Sequence, residues 1–165
     1  MSIIFLIAIV LFIIFVAGVS STPAAPSALK DSSAAERRQR GIDTEKRAAE
    51  ALHATAPGGW WTQPQVMRER GGDFDVVLHG PQRQRAVVEV KSHRGRPRLE
   101  GGHFFFGSDE RDYVLAQVQD QALESGAPVI VWQPLARYGE ARIGNIVFVS
   151  GENPQVVWEN ATRAS

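Results

Sequence analysis

Acidic side chains stand at the ends of two short segments rich in β-forming residues. Asp73 and Asp75 open the first segment, and Glu89 and Lys91 close the second. Successive side chains of a strand point to opposite faces, so Glu89 and Lys91 project together while the valines beside them enter the core. A carboxylate and an amine near the end of an otherwise apolar strand are costly unless that face is hydrated or functional. These four residues are the first candidates for a chemical site.

Pairing of the two segments would bring their acids close enough to share a metal ion. The seven residues HGPQRQR join the segments, which predicts a β-hairpin. In such a hairpin Asp75 can approach Glu89 across the ladder, where two carboxylates repel each other and a divalent cation relieves the repulsion. The chain has no cysteine and its four histidines are scattered, which argues against zinc. Oxygen ligands instead predict Mg²⁺ or Mn²⁺.

A second interpretation of the same acids needs no metal. Arg68, Arg70 and Arg85 are close in sequence, and the three acids of the two segments could pair with them on a solvated sheet face, since surface charge pairs are common and weak. Lys91 favours a site over this alternative. Only three of the 18 basic residues are Lys, and a Lys beside Glu89 supplies a compact point charge near a water or phosphate oxygen.

Basic residues concentrate around the second segment. Residues 81 to 98 hold six basic residues and one acid, a net charge of +5, although the whole chain carries 18 charges of each sign. Arginines on a mobile loop suit phosphate contacts without sequence readout, and the chain shows no base-reading signature. A solvated loop in an Arg-rich chain is the alternative. The predicted nucleic-acid contacts are Arg83, Arg85, Arg94, Arg96 and Arg98.

The elements that position these residues follow from periodicity and from turn residues. A helical pattern begins at Glu36 and ends at the Pro-Gly-Gly of residues 57–59, and a second helix is capped by Ser108 and ends at Gly126. The first predicted strand contains Pro64, which predicts a strand at a sheet edge or one broken by a bend. The predicted strands are 60–67, 74–78, 86–90, 128–132, 145–149 and 156–158, with 104–106 as an edge strand that plugs the core. This order predicts an α/β or α+β domain with a central sheet.

The first residues of the chain differ in composition from the rest. All 36 charged residues lie between Lys30 and Arg163. Residues 3–19 are apolar and, with their flanks, predict a transmembrane anchor over 1–20; a cleaved signal peptide is the alternative. Residues 21–35 are rich in Pro, Ala and Ser and predict a flexible linker before a domain over 36–165. Because the basic residues follow the anchor, the positive-inside rule predicts a single-pass protein with a cytoplasmic domain.

The motif itself resembles that of a known superfamily. Asp75, followed 14 positions later by Glu89-Val90-Lys91, resembles the signature of the PD-(D/E)XK nucleases, with Phe74 in place of the Pro of the name. The resemblance implies a restriction-endonuclease-like fold, in which a mixed central sheet is flanked by helices and a β-hairpin carries the metal site. It covers residues 41 to 123.

Two helices extend the resemblance. The segment around Glu45 resembles the first helix of nuclease-related-domain (NERD-like) and resolvase-like members, in which a helix glutamate joins the metal site. Gln117 or Gln121 matches the glutamine that is often found on the helix after the motif. NERD-like domains often sit beside a transmembrane segment, as is predicted for this chain.

The resemblance implies a membrane-anchored nuclease that hydrolyses phosphodiester bonds of DNA, with RNA not excluded, and that has little sequence specificity. Asp75, Glu89 and Lys91 would be catalytic, and Glu45 would join the two acids as a metal ligand. Asp73 and Gln117 would support the site from its second shell. Members of the superfamily often dimerise, so a homodimer is one expected assembly. The alternative is an inactive, membrane-tethered relative that binds nucleic acid or serves as a scaffold.

Overall fold

The computed structural model describes residues 27–163, with side chains from residue 34 onward. Residues 38 onward form one compact unit, which contains the sheets and the candidate site. The helices are α1 (Ser27–Ala54), α2 (Asp112–Ser125) and α3 (Gln155–Arg163), with a short 3₁₀ helix at Pro81–Arg83. The strands are β1 (Trp61–Met67), β2 (Asp73–His79), β3 (Arg85–Val90), β4 (Pro97–Glu100), β5 (His103–Phe106), β6 (Asp109–Glu110), β7 (Val129–Gln133), β8 (Gly139–Ile143) and β9 (Ile146–Ser150).

Six of the strands form a mixed sheet in the order β1-β2-β3-β7-β9-β8. The first three pair antiparallel, as short turns require, whereas β7 pairs parallel with β3 after the α2 crossover and also pairs parallel with β9. Strands β4, β5 and β6 form a separate antiparallel sheet. The prediction of an α/β fold with a central sheet is confirmed, and the sheet is mixed and flanked by helices.

Both faces of the large sheet are covered, because its central strands are apolar on both sides. Helices α1 and α3 pack on one face, where the buried side chains include Ala48, Leu52, Val76, Val88, Ile130, Trp132, Val157 and Trp158. Helix α2 and strand β5 pack on the other face, where the buried side chains include Val77, Val87, Phe104, Phe106, Val114, Val118, Val131 and Phe148. The prediction that residues 104–106 form a strand that plugs the core is confirmed, but its edge position is wrong, because β5 pairs with β4 on one side and with β6 on the other.

Two element predictions are wrong. Residues 156–158, predicted as a strand, lie in α3, where Val157, Trp158 and Ala161 share the buried side of a helix. The helix predicted from Ser108 begins instead at Asp112, because residues 109 and 110 pair with β5 as β6. Asp112 lies in the first turn of this helix. Its Oδ1 accepts a 2.8 Å hydrogen bond from the backbone N–H of Phe104, which links the start of the helix to β5.

The predictions for the start of the chain are only partly covered by the described residues. The predicted anchor, residues 3–19, lies outside them, and so do residues 21–26 of the predicted linker. Residues 27–35, the rest of the predicted linker, belong to α1. Within residues 27–163 no helix combines the length and the apolar character that crossing a membrane requires.

A buried arginine joins the end of β1 to α2. The Arg68 side chain is only 9% exposed, and its Nη2 donates to Asp120 at 2.5 Å and to Glu124 at 2.7 Å. Arg70 is 63% exposed and contacts Asp120 at 3.0 Å. The predicted alternative, in which Arg68, Arg70 or Arg85 neutralises the acids of the hairpin, is therefore wrong for Arg68 and Arg70, since both pair with acids of α2.

The Arg68→Met protein is expected to unfold at a midpoint a few degrees below that of the wild type. Removal of the guanidinium leaves the two α2 carboxylates without their shared cation and detaches the end of β1. Thermal unfolding followed by circular dichroism measures the shift. Arg70→Met is the matched control, and it should leave the midpoint nearly unchanged because exposed ion pairs are weak. Equal shifts for both variants would contradict the role assigned to Arg68.

Candidate metal centre

The β2–β3 hairpin places two predicted metal ligands side by side. The paired residues include Val76 with Val88, and continuing this register by one step puts Asp75 opposite Glu89. Here the ladder ends, and the Asp75 carboxylate accepts a 2.6 Å hydrogen bond from the backbone N–H of Val90. The two acids therefore meet where β2 and β3 part, which is the approach that the sequence predicts for them.

Helix α2 and Lys91 hold the Glu89 carboxylate. This side chain is only 5% exposed. Its Oε1 accepts hydrogen bonds from Lys91 Nζ at 2.5 Å and from Gln117 Nε2 at 2.8 Å, and its Oε2 accepts one from Gln121 Nε2 at 2.7 Å. Three donors that converge on one buried carboxylate fix its orientation.

The two glutamines reach Glu89 together because they are four residues apart on α2 and lie on the side that packs against the sheet. Gln121 is fully buried, and its Oε1 has no hydrogen-bond partner in the described part of the chain. Gln117 is the more exposed of the two, and its Oε1 also accepts a 3.3 Å hydrogen bond from Lys91 Nζ. The sequence names Gln117 or Gln121 as alternatives, whereas the structure brings both to Glu89.

Helix α1 supplies a third acid from the opposite face of the sheet. Ala48 and Leu52 are buried against the strands, and Glu45 lies one turn earlier on the same side of the helix. Glu45 and Asp75 line one cavity between α1 and β1. Partial burial, and then repulsion from Glu89 and Asp73, raises the pKa of Glu45, although Lys91 opposes the shift.

Burial is also the main reason why the pKa of Asp75 is raised. Burial, followed by repulsion from Glu89, raises the pKa of Asp75 to about 8, against the opposing hydrogen bond from the Val90 N–H. Asp75 therefore keeps its proton to a higher pH than an ordinary aspartate does. A cation between the carboxylates would reverse this preference, because it favours the ionised form of each.

The donor set of this centre fits a hard divalent cation. Glu45, Asp75 and Glu89 come from three different elements and offer carboxylate oxygens, which suit Mg²⁺ or Mn²⁺. Their oxygens do not all lie within 4.8 Å of one another, so a bound cation would draw them closer together. Asp73 is exposed on the same strand as Asp75 and influences the centre only through its charge on Glu45. The six residues that the sequence predicts as catalytic, metal-binding or supporting therefore lie in one region: Glu45, Asp73, Asp75, Glu89, Lys91 and Gln117.

The predicted nucleic-acid contacts divide into two groups. Arg94, Arg96 and Arg98 are exposed and follow β3 directly, so they leave the sheet at the end that carries Lys91. Arg83 and Arg85 lie at the start of β3, about 16 Å away along a strand of this length. Arg98 also forms a 2.8 Å ion pair with Glu100. Only the first group shares an end of the sheet with the acids.

The loop that carries Arg94 and Arg96 is fastened at two points. Gln133 Nε2 donates a 2.9 Å hydrogen bond to the Gly95 carbonyl, and the Gly107 N–H donates one of 2.8 Å to the Arg96 carbonyl. Gly95 itself packs directly on the backbone at residues 106 and 107, leaving no room for a side chain. The arginines are thus presented from a fixed loop, whereas the sequence predicts a mobile one.

Gly95→Ala is expected to destabilise the protein by about 1–3 kcal/mol and to weaken binding to DNA. A Cβ at this position would lie 2.5 Å from the backbone nitrogen of Gly107, so the loop must move. Urea unfolding and a DNA-binding titration measure the two effects. Gly58→Ala is the control, because a Cβ there meets nothing within 4 Å. An unchanged stability for Gly95→Ala would contradict the close packing of this loop.

One group of possible ligands near the surface escapes sequence reasoning. His103, Glu110 and Asp112 bring ligand atoms within 4.8 Å of one another, and His103 Nδ1 lies 2.7 Å from Asp112 Oδ2. Their spacing in sequence carries no metal signature, because the β5–β6 turn brings them together. They are solvent-exposed and already hydrogen-bonded to each other, so they are weaker candidates for a site than the buried acids.

Comparison with protein-family models, with curated proteins and with solved structures finds no match to this chain. Evidence for a function therefore comes from the residues themselves and from the geometry of the centre. That geometry consists of three carboxylates, a lysine hydrogen-bonded to one of them and two supporting glutamines. It occupies the end of a hairpin in the middle of a mixed sheet.

Proposed function

We propose that this chain is a metal-dependent nuclease of the PD-(D/E)XK type that hydrolyses phosphodiester bonds of DNA with little sequence specificity. The observation that carries the proposal is the convergence of Asp75 and Glu89, with Lys91 Nζ 2.5 Å from the Glu89 carboxylate. Asp75, Glu89 and Lys91 have the residue types and the spacing of the nuclease motif, and they lie near one another at the end of the hairpin.

The fold supports the same proposal. A hairpin bearing the acids, then a helix, then a parallel strand beside the hairpin form a mixed sheet between helices. This agrees with the restriction-endonuclease-like architecture that the motif implies. Glu45 on the preceding helix matches the additional glutamate of NERD-like and resolvase-like relatives, which makes that subgroup the closest fit by residue type.

Each residue of the centre has a role in the proposed reaction. Glu45, Asp75 and Glu89 would hold Mg²⁺ or Mn²⁺, which supplies Lewis-acid activation of water and stabilises the charge of the pentavalent transition state. Lys91 orients the water or neutralises charge that develops on the phosphate. Gln117 and Gln121 keep Glu89 in place. Water adds to phosphorus as the P–O bond to the leaving sugar breaks, giving a phosphate monoester and an alcohol.

The substrate assignment is supported by the exposed arginines that follow β3. Arg94 lies three residues after Lys91, and the chain then crosses to the outer strand β8, where the Arg96 side chain packs beside Gly139. Arg94, Arg96 and Arg98 would therefore contact phosphates along the nucleic-acid strand and not only at the cleaved bond. Contacts of this kind give affinity without base recognition and weaken steeply with salt. Both properties fit a nuclease with little sequence preference.

The membrane assignment completes the proposal. An anchor over residues 3–19 would tether the domain to a bilayer, with the domain on the cytoplasmic side. Protease added to intact cells should then leave the domain uncut, and rapid digestion would contradict this orientation. Carbonate extraction of membranes is the companion test, because an integral anchor resists it.

An inactive nucleic-acid-binding relative is the second candidate, and one observation favours it. Both oxygens of Glu89 already accept hydrogen bonds from protein side chains, so this carboxylate is satisfied without a metal. In that case DNA binding would persist without cleavage and would fall steeply as salt is raised.

The experiment that separates the two candidates uses the full-length chain in detergent with linear, circular and branched DNA. Cleavage is expected with Mg²⁺ or Mn²⁺, none is expected with a chelator, and Asp75→Asn and Lys91→Ala should be inactive. Asp43→Asn is the matched control, because Asp43 is an exposed acid on α1 that hydrogen-bonds only Gln39 among the described contacts. No cleavage by any protein, or equal cleavage by all of them, would overturn the nuclease assignment.

A further inference from the structure

A cavity of about 520 Å³ opens between α1 and the edge strand β1, directly beside the candidate metal centre. Its size falls in the range of pockets that enclose a small molecule, about 300–1,000 Å³. Glu45 and Asp75 form one end of it. Ala49 of α1 and Pro64 of β1, two small side chains, also line it.

The lining of this cavity changes from acidic to apolar. Away from the two acids the wall is formed by Ile42, Ala49 and Pro64, and Ile42 remains 47% exposed. Glu50 adds another carboxylate, and Lys46 is the single cation among the lining residues. A second phosphate would be repelled by so many acids, so the ligand part that suits this wall is neutral and partly apolar.

An unusual backbone conformation occurs at the same place. Gln65 lines the cavity and has a φ of 51°, in the left-handed region that non-glycine residues rarely adopt and almost never within a strand. The pairing of Pro64 with Val76 and of Val66 with Phe74 puts Gln65 opposite Asp75. Strained residues cluster at functional sites, and an exposed glutamine offers both a hydrogen-bond donor and an acceptor.

We propose that this cavity holds one unpaired nucleotide next to the phosphate that is cleaved, with its sugar and base along the Ile42–Pro64 wall and its base edge on Gln65. The proposal rests on the proposed function for the position of the phosphate. It identifies the preferred substrate as single-stranded nucleic acid or unpaired ends and loops. A paired base would first have to leave its stack, which is costly in a duplex and nearly free in a single strand.

The test compares fluorescent oligothymidine, oligouridine and a blunt hairpin duplex on the full-length chain in detergent. Binding is measured by anisotropy with Ca²⁺, and cleavage is measured with Mg²⁺. Both single strands should bind at least about tenfold tighter than the duplex, since taking a paired base out of its stack costs a few kcal/mol. A preference for one of the two single strands would identify the sugar and would still support the proposal.

Two variants make the test specific to the cavity. Ala49→Phe fills the cavity and should remove the preference for single strands. Gln65→Gly suits the left-handed conformation, so it should fold at least as well as the wild type while it loses about tenfold in single-strand affinity. Asp43→Asn on the outer side of α1 is the control.

The outcomes distinguish this proposal from the nuclease assignment. Single strands and duplex bound and cut equally, with no effect of Gln65→Gly, would overturn the cavity proposal and leave the nuclease assignment standing. Single-strand preference that depends on Gln65 and Ala49, without cleavage in any metal, would support the cavity proposal and overturn the nuclease assignment.

Discussion

Lys91→Met is expected to lower Mg²⁺-dependent cleavage by about 10²–10⁴-fold while the protein remains folded and still binds Mg²⁺. The ammonium group of Lys91 lies 2.5 Å from Glu89 Oε1 and 3.3 Å from Gln117 Oε1, and its side chain is 20% exposed. Its charge can therefore reach a water or phosphate oxygen beside the acids. Methionine keeps the length of the side chain and removes only the charge and the donors.

Two further proteins sharpen this prediction. Lys91→Arg should rescue little activity, because a planar guanidinium cannot replace a compact ammonium in a space fitted by Glu89 and Gln117. Arg70→Met is the control, since Arg70 is exposed and pairs with Asp120 of α2 instead of Glu89. Initial rates and a Mg²⁺ titration by calorimetry give the two readouts. A Lys91→Met protein with wild-type rates, or one that loses Mg²⁺ binding in proportion to its rate, would contradict the catalytic role.

The metal-free protein is expected to lose stability as the pH rises from about 4 to about 8. Asp75 has its pKa raised from 3.8 to about 8 by burial and by Glu89, so between these values the folded state holds a proton that the unfolded state has released. The stabilisation is complete below the unfolded pKa and disappears as pH passes the folded pKa. Its size is on the order of a few kcal/mol. Urea unfolding in a chelator, from pH 5 to pH 9, measures it.

The difference between wild type and Asp75→Asn isolates this contribution from the other titrating groups. The asparagine protein should be the more stable of the two at pH 8 without metal, and the difference between the two curves should shrink steadily as the pH is lowered toward 5. Adding Mg²⁺ at pH 8 should stabilise the wild type and have little effect on the variant, because a bound cation favours ionised Asp75. Parallel pH profiles for the two proteins would contradict the raised pKa.

The hairpin of the candidate centre could be predicted because its information is local. Alternating valines around Glu89 and the turn-forming residues before Arg85 define two strands and their connection, and pairing them is enough to bring Asp75 to Glu89. The edge position of β1 also follows from one residue, Pro64. These features depend on the alternation of side chains along a strand and on turn-forming residues, and both can be recognised within a short stretch of sequence.

The features that escaped prediction depend on contacts between distant segments. The run Val156-Val157-Trp158 has strand-forming residues, yet it forms a helix. Pro154 directly precedes this helix, and Trp158 packs against Trp60, which is distant in sequence. Strand β8 alternates only weakly and has no strong apolar face. The choice between Gln117 and Gln121 required the rotation of α2 on the sheet, and the left-handed Gln65 has no signal in the sequence because glycine, the usual marker, is absent there.

Strand β1 has one more consequence, which concerns contacts between molecules. An outer strand of a sheet presents unpaired backbone groups that can template pairing with another chain and so promote aggregation. In β1 this template is interrupted at its centre, since Pro64 has no N–H to donate and Gln65 turns its peptide group out of the extended conformation. Crowded copies of the chain are therefore protected from joining edge to edge along β1.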